Sequence, residues 1–268
     1  MDQNAQGHYA SVNGLNMYYE IHGTGRPLVL LHGAFSAIGT SFGPMVPAFA
    51  QTRQVIAVDL QAHGHTADID RPLTIAHMAD DIAALLRHLG LANADLFGYS
   101  MGAGVALQVA IKYPDLVRKL VVASVTYTKD GLHPGLIEGL AGLKPEYMMG
   151  TPWQEEYARI APRPEDFPTL VAKVTAMNMQ IPDLPAESIQ AIKAPTLLII
   201  GDSDIVRPEH AVEMFRLLGG GVAGDNAGLP NSQLAVLPGT THVTVVTHVD
   251  WLVSMITAFL DAPMPEAR

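Results

Sequence analysis

From His8 to Asn13, and again from Leu15 to Gly23, apolar and polar residues alternate on either side of the pair Asn13-Gly14. A period of two turns one face of a strand to the core, and Asn-Gly supplies the positive-φ pair of a tight hairpin, so two antiparallel edge strands are expected. At Pro27–Leu31 the alternation gives way to an unbroken Val/Leu run closed by His32-Gly33. A strand apolar along its whole length is covered on both faces, as in a parallel sheet. Short strands are also expected at Gln54–Val58, Ala94–Phe97, Lys119–Ser124, Pro195–Ile200 and Gln233–Leu237. Between them the period lengthens. Ile75, Met78, Ile82, Leu85, Leu86 and Leu89 form one stripe of a helix over Thr74–Leu89, with Thr74 as its N-cap and Gly90 as its stop. Met101–Tyr113 is helical up to Pro114, Phe42–Ala50 is a short helix interrupted by Pro44 and Pro47, and Pro208–Leu218 and Val245–Leu260 complete the set. Asp59 to Arg71 is polar and turn-like.

Strand and helix in alternation imply parallel strands joined by right-handed crossovers. Thr126–Ile192 breaks the rhythm: eight prolines, short amphipathic pieces, the pair Met148-Met149, then Met177 and Met179, and no strand pattern. Its apolar content is too high for a solvated tether. It reads as a small helical cap over 126–192, inserted into a core made of 1–125 and 193–268. Gly219–Ser232, with five glycines, reads as a flexible surface insertion before the last strand.

Composition narrows the chemistry. The 268 residues can bury a sizeable core, and 49% of them are hydrophobic. Sixteen Lys and Arg against 26 Asp and Glu leave a net charge of −10, which offers no basic face to nucleic acid or to an anionic membrane. The chain has no cysteine, so disulfides, thiolate chemistry and cysteine metal sites are excluded. Met1–Gly7 carries no secretory signal pattern and no apolar run reaches spanning length, so a cytoplasmic location is expected. The sequence sets no oligomeric state.

The chemistry centres on Leu96-Phe97-Gly98-Tyr99-Ser100-Met101-Gly102-Ala103-Gly104, an apolar run meeting Gly-x-Ser-x-Gly and then a helical pattern. A serine at the tip of a sharp strand-to-helix turn is held with its hydroxyl exposed, and the flanking glycines remove Cβ atoms that would clash there. A serine hydroxyl is a weak nucleophile at neutral pH. It needs a base within hydrogen-bond reach, and that base needs a carboxylate to orient it. His242, just past the last strand, suits the first role, and Asp202 and Asp204, just past the Pro195–Ile200 strand, both suit the second. Of the other histidines, His8, His88, His133, His210 and His248 fall in polar or helix-surface settings. His63 and His65 could pair on a metal, but nothing with ligand spacing accompanies them, so no metal is expected. No phosphate-binding glycine loop or dinucleotide fingerprint is present either, and no cofactor is expected.

Five motifs in order, Leu31-His32-Gly33-Ala34-Phe35, Asp59-Leu60-Gln61-Ala62-His63-Gly64-His65-Thr66, Gly98-Tyr99-Ser100-Met101-Gly102, Gly201-Asp202-Ser203-Asp204 and Pro238-Gly239-Thr240-Thr241-His242, resemble the α/β-hydrolase family over essentially the full chain. The resemblance implies a mostly parallel eight-stranded sheet flanked by helices, with an inserted helical cap. It implies Ser100 as nucleophile, His242 as base and Asp204 as acid, with Asp202 bracing the loop, and an oxyanion hole from the N–H groups of Ala34 and Met101. Phe35 and Tyr99 are expected beside the acyl group, and Met148, Trp153 and Met177 to give the cap a deformable apolar wall. Ala62 and His65 depart from the family pattern, which has glycine and arginine there, and the Asp59–Thr66 segment is read as structural. A serine in place of a carboxylate at the elbow separates the chain from epoxide hydrolases and haloalkane dehalogenases. The expected activity is hydrolysis of small to medium carboxylic esters, with lactones such as acyl-homoserine lactones inside that class. Carbon–carbon bond hydrolases and cofactor-free perhydrolases share the motifs, and a non-catalytic ligand receptor is the reading of a different class.

Overall fold

The computed structural model describes residues 6–181 and 183–264. β1 (Gln6–Val12) and β2 (Leu15–His22) form the expected hairpin, with Val12 opposite Leu15 and with Asn13 and Gly14 at φ 49° and 82°. Then come β3 (Arg26–Leu31), β4 (Arg53–Val58), β5 (Ala94–Tyr99), β6 (Val117–Ala123), β7 (Thr196–Ser203) and β8 (Gln233–Thr241). They make one eight-stranded sheet in the order β1-β2-β4-β3-β5-β6-β7-β8, parallel from β4 to β8. Only β1 of the hairpin lies at an edge. β2 pairs antiparallel with β4, because Tyr19 to His22 continue the ladder with Val55 to Val58.

The unbroken apolar runs have a simple cause. In β3, Val29 and Leu31 join one buried cluster and Leu28 and Leu30 the other, and Leu96 and Phe97 in β5 divide the same way. Alternate side chains point to opposite faces, and here both faces are covered. One cover consists of α3 (Ile75–His88), capped by the Thr74 hydroxyl accepting the His77 N–H, and α4 (Met101–Lys112). The other consists of α1 (Ile38–Phe42), which ends where the short helix was expected to begin, and α2 (Val46–Phe49) within the expected stretch, together with α12 (Val249–Asp261). The closing helix starts later than its apolar pattern suggests, because Val245–Thr247 is a separate 3-10 turn. Beyond β7 lie α10 (Pro208–Leu217) and, in the glycine-rich stretch, one short turn, α11 (Gly224–Ala227), with Leu229 87% exposed beside it.

Between β6 and β7 run α5 (Leu136–Ala141), α6 (Pro145–Met148), α7 (Pro152–Ile160), α8 (Phe167–Met179) and α9 (Ala186–Gln190). Prolines that read as breakers open α6, α7 and α8 within their first two positions, where a missing N–H costs nothing. Phe167, Leu170, Val171 and Val174 bury α8 in the cluster that also holds α3 and α4. Polar ties reinforce this packing. Lys173 Nζ donates to the carbonyls of Ile69 and Arg71, and the Thr40 N–H donates to Glu156 Oε2 at 3.0 Å.

Candidate active site

Four adjacent parallel strands, β4, β3, β5 and β6, are each followed within a few residues by a non-glycine residue at positive φ: Ala62 at 65°, Phe35 at 63°, Ser100 at 52° and Ser124 at 57°. Positive φ costs an L-residue free energy, and such outliers persist where the surroundings force them. Their concentration at the carboxyl ends of neighbouring strands locates the site, since open α/β sheets bind ligands at that edge.

Ser100 follows β5 directly and opens α4 with φ 52° and ψ −117°. The turn is possible only because its neighbours lack Cβ atoms. A Cβ on Gly102 would lie 2.0 Å from the Leu31 carbonyl oxygen, and one on Gly98 would lie 2.3 Å from the Gly102 carbonyl oxygen. The Ser100 N–H donates to the Ala123 carbonyl at 2.9 Å, which ties the turn to β6.

Ser100 Oγ lies 2.9 Å from His242 Nε2, and His242 Nδ1 lies 2.9 Å from Asp204 Oδ1. Asp204 is 4% exposed. Burial pushes its pKa up, but the hydrogen bond and charge of His242, the Ser124 hydroxyl and the Gly201 N–H outweigh that and hold it below the ordinary carboxylate value. Asp202 is placed differently. It is exposed at the end of β7, and its carboxylate accepts the N–H groups of Gly239 at 2.9 Å and Thr240 at 3.3 Å, so it braces the start of the loop that carries His242.

The loop after β3 approaches Ser100 closely: a Cβ on Gly33 would lie 2.9 Å from the Tyr99 ring and 3.4 Å from Ser100 Cβ. The Ala34 and Met101 N–H groups have no hydrogen-bond acceptor among the described residues, whereas the Phe35 N–H is taken by His63 Nε2 at 3.1 Å. His63 Nδ1–H in turn donates to the Gln61 carbonyl at 2.8 Å. Burial pushes the His63 pKa down to about 3, with the neighbouring His32 adding to the effect, so the ring is neutral and Nε2 is free to accept. His32 makes the matching contact, its Nε2 accepting the Leu60 N–H at 3.0 Å. The Asp59–Thr66 segment is thus structural in a specific sense: it shapes the loop facing the serine. His65 Nδ1 lies 2.9 Å from Asp59 Oδ2.

The remaining expected site residues are dispersed. Tyr99 is 7% exposed, with its hydroxyl on the His242 carbonyl, and Phe35 is half-buried at the loop tip. Met177 lines a cavity of about 490 Å³ between α3, α4 and α8, whose wall sets Leu73, Ile75 and Leu107 beside His77, Gln108 and Lys173. Gly104, whose N–H bonds the Ser100 carbonyl at 3.1 Å, also lines it, whereas Ser100, His242, Ala34, Phe35 and Met101 do not. Met148 and Trp153 pack in the insertion away from that wall. His210 does not lie on a helix surface: it is 3% exposed, stacked on Tyr127 at 4.5 Å. Ser124 is the residue that sequence reading passed over. Its hydroxyl bonds Asp204 at 2.5 Å across 80 positions of chain, and no local pattern signals such a contact.

Residues 26–249 match the family model described as the alpha/beta hydrolase fold, and the chain belongs to that family. A Caulobacter vibrioides protein named "Putative carbamate hydrolase RutD" is 36% identical over 118 residues, 42% of this chain and 43% of that protein, so the match spans less than half the length of that relative. An Azorhizobium caulinodans protein of the same name is 23% identical over 268 residues, covering 94% of this chain and 97% of its own length. Among solved structures, E-2-(acetamidomethylene)succinate hydrolase superposes with a TM-score of 0.77 at 22% identity over 97% of this chain and all of that one, a likeness of fold.

Proposed function

We propose that this chain is a serine hydrolase of small to medium carboxylic esters, lactones included, working through an acyl-enzyme on Ser100. The observation that carries the reading is the hydrogen-bonded line from Ser100 Oγ through His242 to Asp204, at 2.9 Å on each side, set on a strained turn beside two free N–H groups. As His242 Nε2 takes the hydroxyl proton, Ser100 Oγ attacks the acyl carbon and the carbonyl oxygen becomes an oxyanion facing the N–H groups of Ala34 and Met101. The ester C–O bond breaks, and the alcohol leaves with the proton from His242. Water repeats the sequence from the other side, His242 taking its proton and then returning it to Ser100, so that the carboxylic acid departs and the enzyme is regenerated. Asp204 stays ionised throughout and stabilises the imidazolium. A serine rather than a carboxylate at the elbow is the feature that favours acyl transfer over epoxide or haloalkane opening.

Residues 126–192 act in this reading as a cap. The cavity against α8 is of a size for one small molecule, and its mixed lining of Leu73, Ile75, Leu107 and Met177 with His77, Gln108 and Lys173 suits a small substrate better than a polymer. Among the described residues no helix is long and apolar enough to cross a membrane.

Two measurements test the reading together. A fluorophosphonate is expected to label Ser100 with one equivalent, and a panel of p-nitrophenyl esters of rising chain length, acyl lactones and an aryl carbamate is expected to show multiple turnover on esters or lactones. Labelling at another residue, or a single stalled turnover, would remove the enzyme assignment. With a vinylogous diketone and a peroxide-dependent halogenation assay run beside the panel, rapid turnover confined to one of them would replace it with carbon–carbon hydrolysis or perhydrolysis, and turnover confined to the carbamate would replace it with carbamate hydrolysis.

A further inference from the structure

We infer that Ser124 is a positioning residue for the acid of this site, holding Asp204 so that its other carboxylate oxygen stays on His242. The inference rests on the serine-hydrolase reading of Ser100, His242 and Asp204. Asp204 accepts four hydrogen bonds, two on each oxygen. Oδ1 receives His242 Nδ1–H at 2.9 Å and the Val206 N–H at 3.3 Å, while Oδ2 receives Ser124 Oγ–H at 2.5 Å and the Gly201 N–H at 3.2 Å. The Ser124 contact is the shortest of the four and, among the described residues, the only one besides that of His242 made by a side chain. Removing it leaves Oδ2 with a single long backbone donor, and rotation of the carboxylate about its χ2 bond is then less restrained.

The backbone argues the same way. Ser124 sits at φ 57°, where glycine would be unstrained, and is 3% exposed. Such a conformation persists where the surroundings hold it, and among the described residues the hydrogen bond of the Ser124 side chain is to Asp204. Ser124 and its neighbour also join the two halves of the site. The Ala123 carbonyl accepts the Ser100 N–H at 2.9 Å, and the Ser124 N–H donates to the Ile199 carbonyl of β7 at 2.8 Å. Two consecutive residues at the end of β6 therefore bridge the nucleophile's turn to the acid's strand, and a displacement of either is felt by the other.

The test compares Ser124→Ala with Ser124→Gly. Both lose the hydroxyl, but glycine also relieves the positive φ, so it gives a folded variant even where alanine does not. Folding is read by thermal melting, and function by two rates: fluorophosphonate labelling of Ser100, which requires no knowledge of the natural substrate, and kcat and KM on the best ester of the panel. Both variants are expected to lose roughly tenfold or more in labelling rate and in kcat, the scale of one hydrogen bond to a charged group, with KM within about twofold of wild type. Glycine is expected to melt at the same or a higher temperature than alanine without recovering the rate. A folded variant of either kind that labels and turns over like wild type would overturn the inference. So would recovery of rate by glycine alone, which would make the role one of backbone strain. Failure of the wild-type protein to label is a different result and counts against the serine-hydrolase reading itself.

Discussion

Tyr99 donates its hydroxyl to the backbone carbonyl of His242 at 2.7 Å, and the two rings lie 5.5 Å apart. The residue before the elbow serine thus holds the loop that presents His242. Burial, with the charge of Asp204 adding to it, pushes the Tyr99 pKa up, so the hydroxyl stays a donor over the whole working range. Tyr99→Phe keeps the ring and deletes only that bond. Because the carbonyl is left without its donor, a loss of about 1–2 kcal/mol in urea-unfolding free energy is expected, with a fall in kcat larger than any rise in KM. Unchanged kcat would remove Tyr99 from the positioning of His242.

Ser100→Ala is expected to lower turnover by roughly four orders of magnitude while leaving the melting temperature within a few degrees, since the oxyanion donors and binding alone sustain only a small residual rate. Steady-state kinetics beside a thermal melt separates the two quantities.

Asp204 and Asp202 lie two residues apart and do different things. Asp204→Asn turns an acceptor facing His242 Nδ1–H into a group that can present its own N–H there, and a loss of roughly three orders of magnitude or more in kcat/KM is expected. Asp202→Asn weakens the brace on Gly239 and Thr240 and is expected to cost less than tenfold. The reverse ranking would move the acid to Asp202.

His63 makes a prediction about pH and stability. Folded, its pKa is lowered to about 3 from 6.5, so below pH 6.5 the unfolded chain takes up a proton that the folded chain refuses. Stability therefore falls as pH drops from about 6.5 toward 3, with a slope of up to about 1.4 kcal/mol per pH unit from this group. His63→Gln is expected to be less stable than wild type at pH 7, having lost the ring that joins Phe35 to Gln61, yet to lose less further stability between pH 7 and pH 5. Parallel urea curves at both pH values for the two proteins would sink this account.

Two glycines on α4 provide a steric contrast. Gly102→Ala drives a Cβ to 2.0 Å from the Leu31 carbonyl oxygen, and a loss of about 3 kcal/mol or more is expected. Gly104→Ala meets nothing nearer than Ile75 Cδ1 at 3.5 Å, and a helix-interior Gly→Ala gain of about 0.5–1 kcal/mol is expected. Denaturant midpoints for the pair check both signs.

Much of this molecule is a one-dimensional pattern. The two-residue period around Asn13-Gly14, the fully apolar runs of β3 and β5, and the helical stripe from Ile75 to Leu86 each follow from burial repeating along a local backbone, and a local repeat survives in the sequence. The elbow is legible for the same reason, because Gly98, Ser100 and Gly102 solve their steric problem within five residues. What the tertiary structure alone decided is whatever depends on residues distant in sequence becoming neighbours. The turn at Val245–Thr247 and the burial of His210 against Tyr127 are of this kind. So are the His63 contact to Phe35 and the Ser124 contact to Asp204, hydrogen bonds that span 28 and 80 positions. Such bonds leave no period to read, since their donors and acceptors meet only after the parallel strands have aligned and brought their carboxyl ends to one edge.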